Sequence, residues 1–352
     1  MKKKTGPIRV GIIGLGRAGW GMHTPELKRR PDKFTVVAGC DPIPEFRRRF
    51  AEHWKCAVFD NPEELVADPG VELVVVASRS TQHVEHALLA LRAGKDVFQE
   101  KPIATTYRDA LRLKAAAAKS RGRIFVRHNR RFEPAFQHVR EIIASGLLGN
   151  VFDIKLRRDS FVLRDDWQTL LRCGGGQTLN WGPHLIDHAL LLLESPAVEI
   201  WSDLKRVAAA GDAEDHVRII MKGRNGRTVD IQISGGAALP EPEYIVLGTR
   251  GALTCRKNRI RIRRLDPSIK TGKLSADPGT PMNGSFGTPC DLKWMEETVP
   301  VSPKTKVDTG SIYGFLHGAI RLGKPFPIKF SEAMEVMRIA SLVRKGTRFA
   351  PK

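Results

Sequence analysis

The chain has 352 residues, 41% hydrophobic and 27% charged, a composition that excludes a disordered protein and is long enough for two hydrophobic cores. Its net charge of +20 is shared between the two halves and not gathered in a tail, so it describes a field that attracts anions and says nothing of fold. No helix-turn-helix, finger or aromatic-rich RNA motif accompanies it, and specific nucleic-acid binding is not expected.

No window approaches eighteen consecutive apolar residues, and Met1 to Pro7 leads into a strand pattern with no signal-peptide core. A cytoplasmic protein without a membrane span is expected. Five scattered cysteines without C-x-x-C spacing indicate reduced thiols, neither a disulfide framework nor a zinc knuckle.

In chain order, the apolar run Ile8 to Ile13 reads as a buried strand feeding Gly14-Leu15-Gly16-Arg17-Ala18-Gly19, the G-x-G-x-x-G dinucleotide fingerprint. Gly14 allows the tight turn, Gly16 lets backbone amides approach a pyrophosphate, and Gly19 lets the next helix pack close. Phosphates then meet a helix N-terminus, where unpaired amides favour anions. A second strand, Thr35 to Cys40, ends at Asp41, 22 residues after Gly19, where a carboxylate accepts from adenosine ribose hydroxyls. Opening the turn Asp41-Pro42-Ile43-Pro44 is an equally compatible role for it.

Glu45 to His53 reads as a helix, Val58-Phe59 as a short strand, and Asn61-Pro62-Glu63-Glu64 as a capped helix start. Val71 to Ala77 suits a strand covered on both faces, followed by the loop Ser78 to Gln82 and a helix from His83 to Gly94. His83 and His86 fit either a cofactor contact or ordinary packing. Strand Asp96 to Gln99 delivers Glu100-Lys101-Pro102 at its carboxyl end. There Lys101 is either a solvated turn residue or a crevice lysine whose pKa burial and nearby cations lower. Helix Tyr107 to Lys119 and strand Ile124 to Val126 complete a parallel, doubly wound sheet.

The cofactor domain is expected to span residues 1–130 and a second α/β domain 131–352. Pro134 to Ser145 reads as a helix and Val151 to Leu156 as a strand. Cys173 to His188 then brings Gly174-Gly175-Gly176 before a helix on which Asn180, His184, Asp187 and His188 share a face. A metal site from His184, Asp187 and His188 lacks a further ligand and is not expected. A general acid/base histidine, its ring oriented by a third group, suits the spacing better. Val217 to Met221, Thr228 to Ser234, Tyr244 to Leu247, Ala252 to Cys255 and Arg259 to Arg263 read as a largely antiparallel sheet. Arg259, Arg261 and Arg263 read as a solvated face. Residues 265–310 read as a surface arm, followed by helices near Tyr313 to Leu322 and Ser331 to Arg344.

Together these motifs resemble the Gfo/Idh/MocA family of oxidoreductases. The marks are the three glycines, Asp41, Ala93-Gly94-Lys95-Asp96-Val97 before Glu100-Lys101-Pro102, the triple glycine, His184-x-x-Asp187, and Leu247-Gly248-Thr249-Arg250-Gly251. The resemblance implies an N-terminal Rossmann domain and a C-terminal α/β domain whose open sheet serves homo-oligomerisation. It implies NAD, with NADP possible through Arg47 to Arg49. The dinucleotide would be held by Gly14, Gly16, Arg17, Ala18, Gly19, Asp41, Ser78, Arg79, His83, Glu100 and Lys101. It further implies a small sugar-like or cyclitol substrate, neutral or anionic, contacted by Lys101, Arg130, Arg164, Asn180, His184 and Asp187. Lys101 would polarise the reacting hydroxyl while His184, with Asn180 beside it, handles the proton. Two relatives' activities remain as alternatives: redox-neutral, NAD-dependent glycoside cleavage, and dinucleotide-dependent ligand sensing without turnover. Asn180 stands where many members have aspartate, and Ser78-Arg79-Ser80 where many have Thr-Pro-Asn, which puts the cation of Arg79 at the cofactor or substrate edge.

Overall fold

The computed structural model describes residues 6–270, 275–276, 278–279 and 292–351. Its first sheet is built from β1 (Ile8–Ile13), β2 (Phe34–Cys40), β3 (Ala57–Phe59), β4 (Leu73–Val76), β5 (Asp96–Gln99) and β6 (Ile124–Val126), in spatial order β3-β2-β1-β4-β5-β6. All pairings are parallel. The covering helices are α1 (Thr24–Lys28), α2 (Pro44–Trp54), α3 (Pro62–Ala67), α4 (His83–Arg92) and α5 (Tyr107–Lys119). The central strands need that cover on both faces, and β4 is a run of four buried aliphatic residues. Strand order reverses between β1 and β4, which makes the carboxyl ends of these strands the switch point of the sheet, with Gly14 and Ser78 in close contact just beyond them. Asp41, Lys101 and Arg127 follow β2, β5 and β6 at the same edge.

The second layer begins with α6 (Pro134–Ala144), β7 (Val151–Asp159), α7 (Gln177–Asn180) and α8 (Gly182–Leu193). It continues through β8 (Ala197–Lys205), β9 (His216–Gly223), β10 (Thr228–Ser234), β11 (Tyr244–Gly248), β12 (Gly251–Arg256), β13 (Arg259–Leu265) and β14 (Trp294–Pro300). The sheet order is β14-β13-β12-β11-β7-β10-β9-β8, antiparallel except for the β7/β10 pair. α8 packs on β7 and β10, so one face of the sheet is core, while Trp201 on β8 is 54% exposed on the other.

Three features depart from the sequence reading. Within the expected arm 265–310, Trp294–Pro300 is an edge strand whose Glu296 pairs with Arg261 and Arg263 of β13, so an acidic partner covers part of the basic face. Residues 271–274, 277 and 280–291 of that arm lie outside the described residues. The expected single helix through Asn180 and His188 is interrupted at Trp181, because Pro183 has no amide with which to continue the ladder. Finally, α9 (Ser311–Arg321) returns to the first layer. Its Tyr313 is fully buried against His23, Phe34 and Phe98, while α10 (Phe330–Leu342) packs on both α5 and α8. No helix among the described residues is long and apolar enough to cross a membrane.

Candidate active site

The glycine loop is a main-chain device. Gly14 adopts φ +93°, and a Cβ there would lie 2.5 Å from the Ser78 amide nitrogen. A Cβ on Gly19 would fall 2.0 Å from the Gly14 carbonyl oxygen, so only glycine lets the helix start pack on the strand end. In front of Gly16 the space is open, with a Cβ meeting only the Phe46 ring at 3.8 Å. These three positions leave the cradle that a dinucleotide pyrophosphate needs, with exposed Arg17 and the amide of Ala18 at its edge. Asp41 accepts from the Leu15 amide (2.8 Å) and the Ile43 amide (2.9 Å). It therefore both pins the loop and opens the Asp-Pro turn at the end of β2. Arg47, Arg48 and Arg49 are engaged respectively with the Asp41 carbonyl, with Glu45 and Glu52, and with the Trp20 ring.

Two residues expected to touch the cofactor are buried. His83 is 2% exposed, its Nδ1 2.7 Å from the Pro102 carbonyl and its Nε2 3.0 Å from the Ser78 carbonyl, so it ties two crevice loops together. Glu100 is 5% exposed and accepts from Arg127 at 2.7 Å, with His23 Nε2 at 3.1 Å; the Tyr313 hydroxyl closes the network on His23 Nδ1. Burial opposes its ionisation, yet Arg127 and His23 outweigh that and hold the carboxyl below the ordinary range. A π turn over Gly19–His23 aims His23 inward at this network. Ser78 keeps its crevice position, its hydroxyl 2.9 Å from His86 Nδ1, and exposed Arg79 lies over Trp167 of the second layer at 5.8 Å.

Lys101 projects into the crevice and donates to the main-chain carbonyl of Asn180 at 2.9 Å. That carbonyl is available because the helix breaks at Trp181 and His184 bonds the Trp181 carbonyl instead. Burial lowers the Lys101 pKa to about 8, with Arg130, Arg127 and Arg17 adding to the effect and Glu100 opposing it. His184 is 6% exposed, and its pKa is pushed well below 6.5 by burial and then by Lys101 and Arg130, so the imidazole is neutral. Its ring is met edge-on by Trp181 and His128, and its Nδ1 is buried without a hydrogen-bond partner among the described residues. Ser80, Lys101, Gln168, Gly174 and Asn180 line a small polar pocket beside this pair.

Other expected contacts lie elsewhere. Asp187 is 2% exposed and receives both its hydrogen bonds from Arg131, which also pairs with Glu332; it is an interior strut, not a substrate contact. His188 stacks on Phe136 at 3.7 Å and faces the Arg130 carbonyl. Arg164 is held by Asp166 and Gln168, which neutralises it within its own loop. Asn180 contributes its carbonyl, with no side-chain hydrogen bond among the described residues. Arg130 does reach the crevice, paired with Glu133 and lying 4.3 Å from the Trp181 ring. The sequence reading passed over Trp181 and Arg158, whose guanidinium lies 3.8 Å from the same ring.

Two family models cover most of this architecture. Residues 8–128 match an oxidoreductase family with an NAD-binding Rossmann fold, and residues 136–254 match the GFO/IDH/MocA C-terminal domain. The chain belongs to the Gfo/Idh/MocA family. It is therefore an NAD(P)-binding oxidoreductase. Among its relatives in the family are an uncharacterized oxidoreductase of Schizosaccharomyces pombe, 31% identical over 97% of each chain, and the scyllo-inositol 2-dehydrogenase (NADP(+)) of Bacillus subtilis, 23% identical over 99% of this chain and 96% of its own. Among solved structures, the NAD-binding protein from Listeria innocua superimposes with a TM-score of 0.83 at 22% identity, over 97% of this chain and 98% of that one.

Proposed function

We propose that this oxidoreductase interconverts a secondary ring alcohol and its ketone, on a cyclitol or sugar derivative. What carries the reading is the juxtaposition of Lys101, hydrogen-bonded to the Asn180 carbonyl, with a buried, neutral His184 at the mouth of the β1/β4 switch point. When bound, the nicotinamide supplies or takes up the hydride. In the oxidation direction the protein must also remove the hydroxyl proton. The neutral imidazole of His184 accepts it, while protonated Lys101 donates a hydrogen bond to the same oxygen and stabilises the developing negative charge. Reduction runs the same transfers backwards. The loop at residues 174–176 lines the pocket beside Lys101, and exposed Arg79 meets Trp167 across the two layers.

Asp41 favours NAD, because its carboxylate repels a 2′-phosphate. Exposed apolar groups such as Trp201 on the second sheet's outer face support homo-oligomerisation there, and the free thiols of Cys40, Cys56, Cys173 and Cys255 support a cytoplasmic location. The test is a titration of NADH and NADPH by nicotinamide fluorescence, followed by a panel of cyclitols and sugars read by nicotinamide absorbance. NADH should bind more tightly, and at least one ring alcohol should be oxidised. Glycoside cleavage without net NADH, or bound cofactor unchanged by every compound, would overturn the dehydrogenase reading.

A further inference from the structure

We propose that Arg158 and Arg130, gathered over the indole of Trp181, form a subsite for an anionic group on the substrate, so that the alcohol handled here carries a carboxylate or a phosphate. The inference rests on the crevice being the substrate site.

Arg158 closes β7 on the same sheet face as Ile154 and Leu156, the face that α8 covers. Arg157, its neighbour, points the other way and is matched by Asp230 and Glu241. Period-two alternation thus sends one guanidinium to the outer face and the next, exposed, to the face that carries Trp181. There Arg158 and Arg130 lie 3.8 and 4.3 Å from the centroid of one indole. Trp181 immediately follows the carbonyl that holds Lys101, and its ring meets His184 edge-on at 5.7 Å between centroids. The two cations are therefore one aromatic ring away from the groups that handle the proton.

Their charge is cancelled only in part. Arg127, Arg131 and Arg157 each have a buried carboxylate, and Arg164 has Asp166. Arg130 has Glu133, but Arg158 has no hydrogen bond or ion pair among the described residues; Glu243 and Tyr244 are the groups whose charge it feels. Arg158 thus has no carboxylate bound to it among the described residues, and Arg130 and Lys101 add to the positive field around His184. Burial, then repulsion from Arg158, pulls Arg130 down to about 10. An anion held by these guanidiniums relieves that repulsion. Stacking on the indole also fixes the guanidinium planes, so their in-plane N–H donors suit two oxygens of a carboxylate or phosphate. A neutral hydroxyl relieves neither charge.

The test is calorimetric titration of NADH-loaded enzyme with glucuronate, galacturonate and glucose 6-phosphate, each against its neutral sugar. At least one acid should bind roughly 10- to 100-fold more tightly than its neutral partner, and added salt should reduce the difference. Comparing glucuronate with glucose 6-phosphate decides between carboxylate and phosphate. Arg158→Gln should erase the advantage while leaving the neutral sugar and NADH affinities unchanged, and Arg158→Lys should restore part of it. Acids binding no better than neutral sugars, or an advantage that survives Arg158→Gln, would overturn the subsite. Binding is read without turnover. Tight acid binding with no hydride transfer would count against the dehydrogenase reading alone, and oxidation of a neutral cyclitol with no preference for acids would count against the subsite alone.

Discussion

The dinucleotide loop and the floor of the crevice solve different problems by different means. In the loop, Gly14 and Gly19 act by what they lack, and Asp41 acts on the amides of Leu15 and Ile43 as much as on any ligand. Function there is carried by the main chain and confined to a short stretch. On the crevice floor the side chains of Lys101, Arg130, Arg158, Trp181 and His184 come from four separate places in the sequence. The first region should thus fail when a Cβ is added, and the second when a functional group is removed.

The largest effect is expected in the loop. Gly19→Val forces a side chain into the Gly14 carbonyl, so NADH affinity should fall by about 100-fold or more, or the protein should not fold. Fluorescence titration with thermal unfolding checks this, and near-normal NADH binding would deny the main-chain role. On the floor, Lys101→Ala and His184→Ala should each lower kcat by roughly 10²- to 10⁴-fold with NADH affinity unchanged, as steady-state kinetics and fluorescence would show. A smaller effect is expected at Asn180. Because Lys101 bonds the carbonyl and not the side chain, Asn180→Ala should keep kcat/KM within about tenfold of the parent. A loss matching that of Lys101→Ala would mean that the side chain touches the reacting groups.

That contrast explains what could be read from the chain. Gly14, Gly19, Asp41 and the parallel, doubly wound sheet were legible because a backbone turn demands particular residue types at fixed offsets. Lys101 and His184 were legible as types, but the bond joining Lys101 to residue 180 depends on a helix break whose only local signal is Gly182-Pro183. Asp187, Glu100 and Arg164 looked like site residues because each is polar beside a motif. Their partners Arg131, Arg127 and Asp166 remove them, and two of the three lie tens of residues away. Arg158 was invisible for the opposite reason: in Arg157-Arg158 nothing local says which arginine faces the crevice until the strand's register against Asp230 is known. The strand Trp294–Pro300 was hidden among Pro- and Gly-rich neighbours, its support coming from charge complementarity with β13.

The division of labour between Lys101 and His184 is tested most directly by the pH dependence of kcat/KM for alcohol oxidation, using the best substrate of the panel. His184 has its pKa depressed well below 6.5 and works as the neutral base, so activity lost on acidification should disappear only well below pH 6.5. Lys101 must be protonated to stabilise the oxygen, and its pKa is lowered to about 8, so kcat/KM should fall as pH rises through about 8. The profile should be a plateau bounded by these limits, with the alkaline fall missing in Lys101→Arg. A rate that climbs through pH 8 in the parent enzyme would make deprotonated Lys101 the base and contradict the assignment to His184.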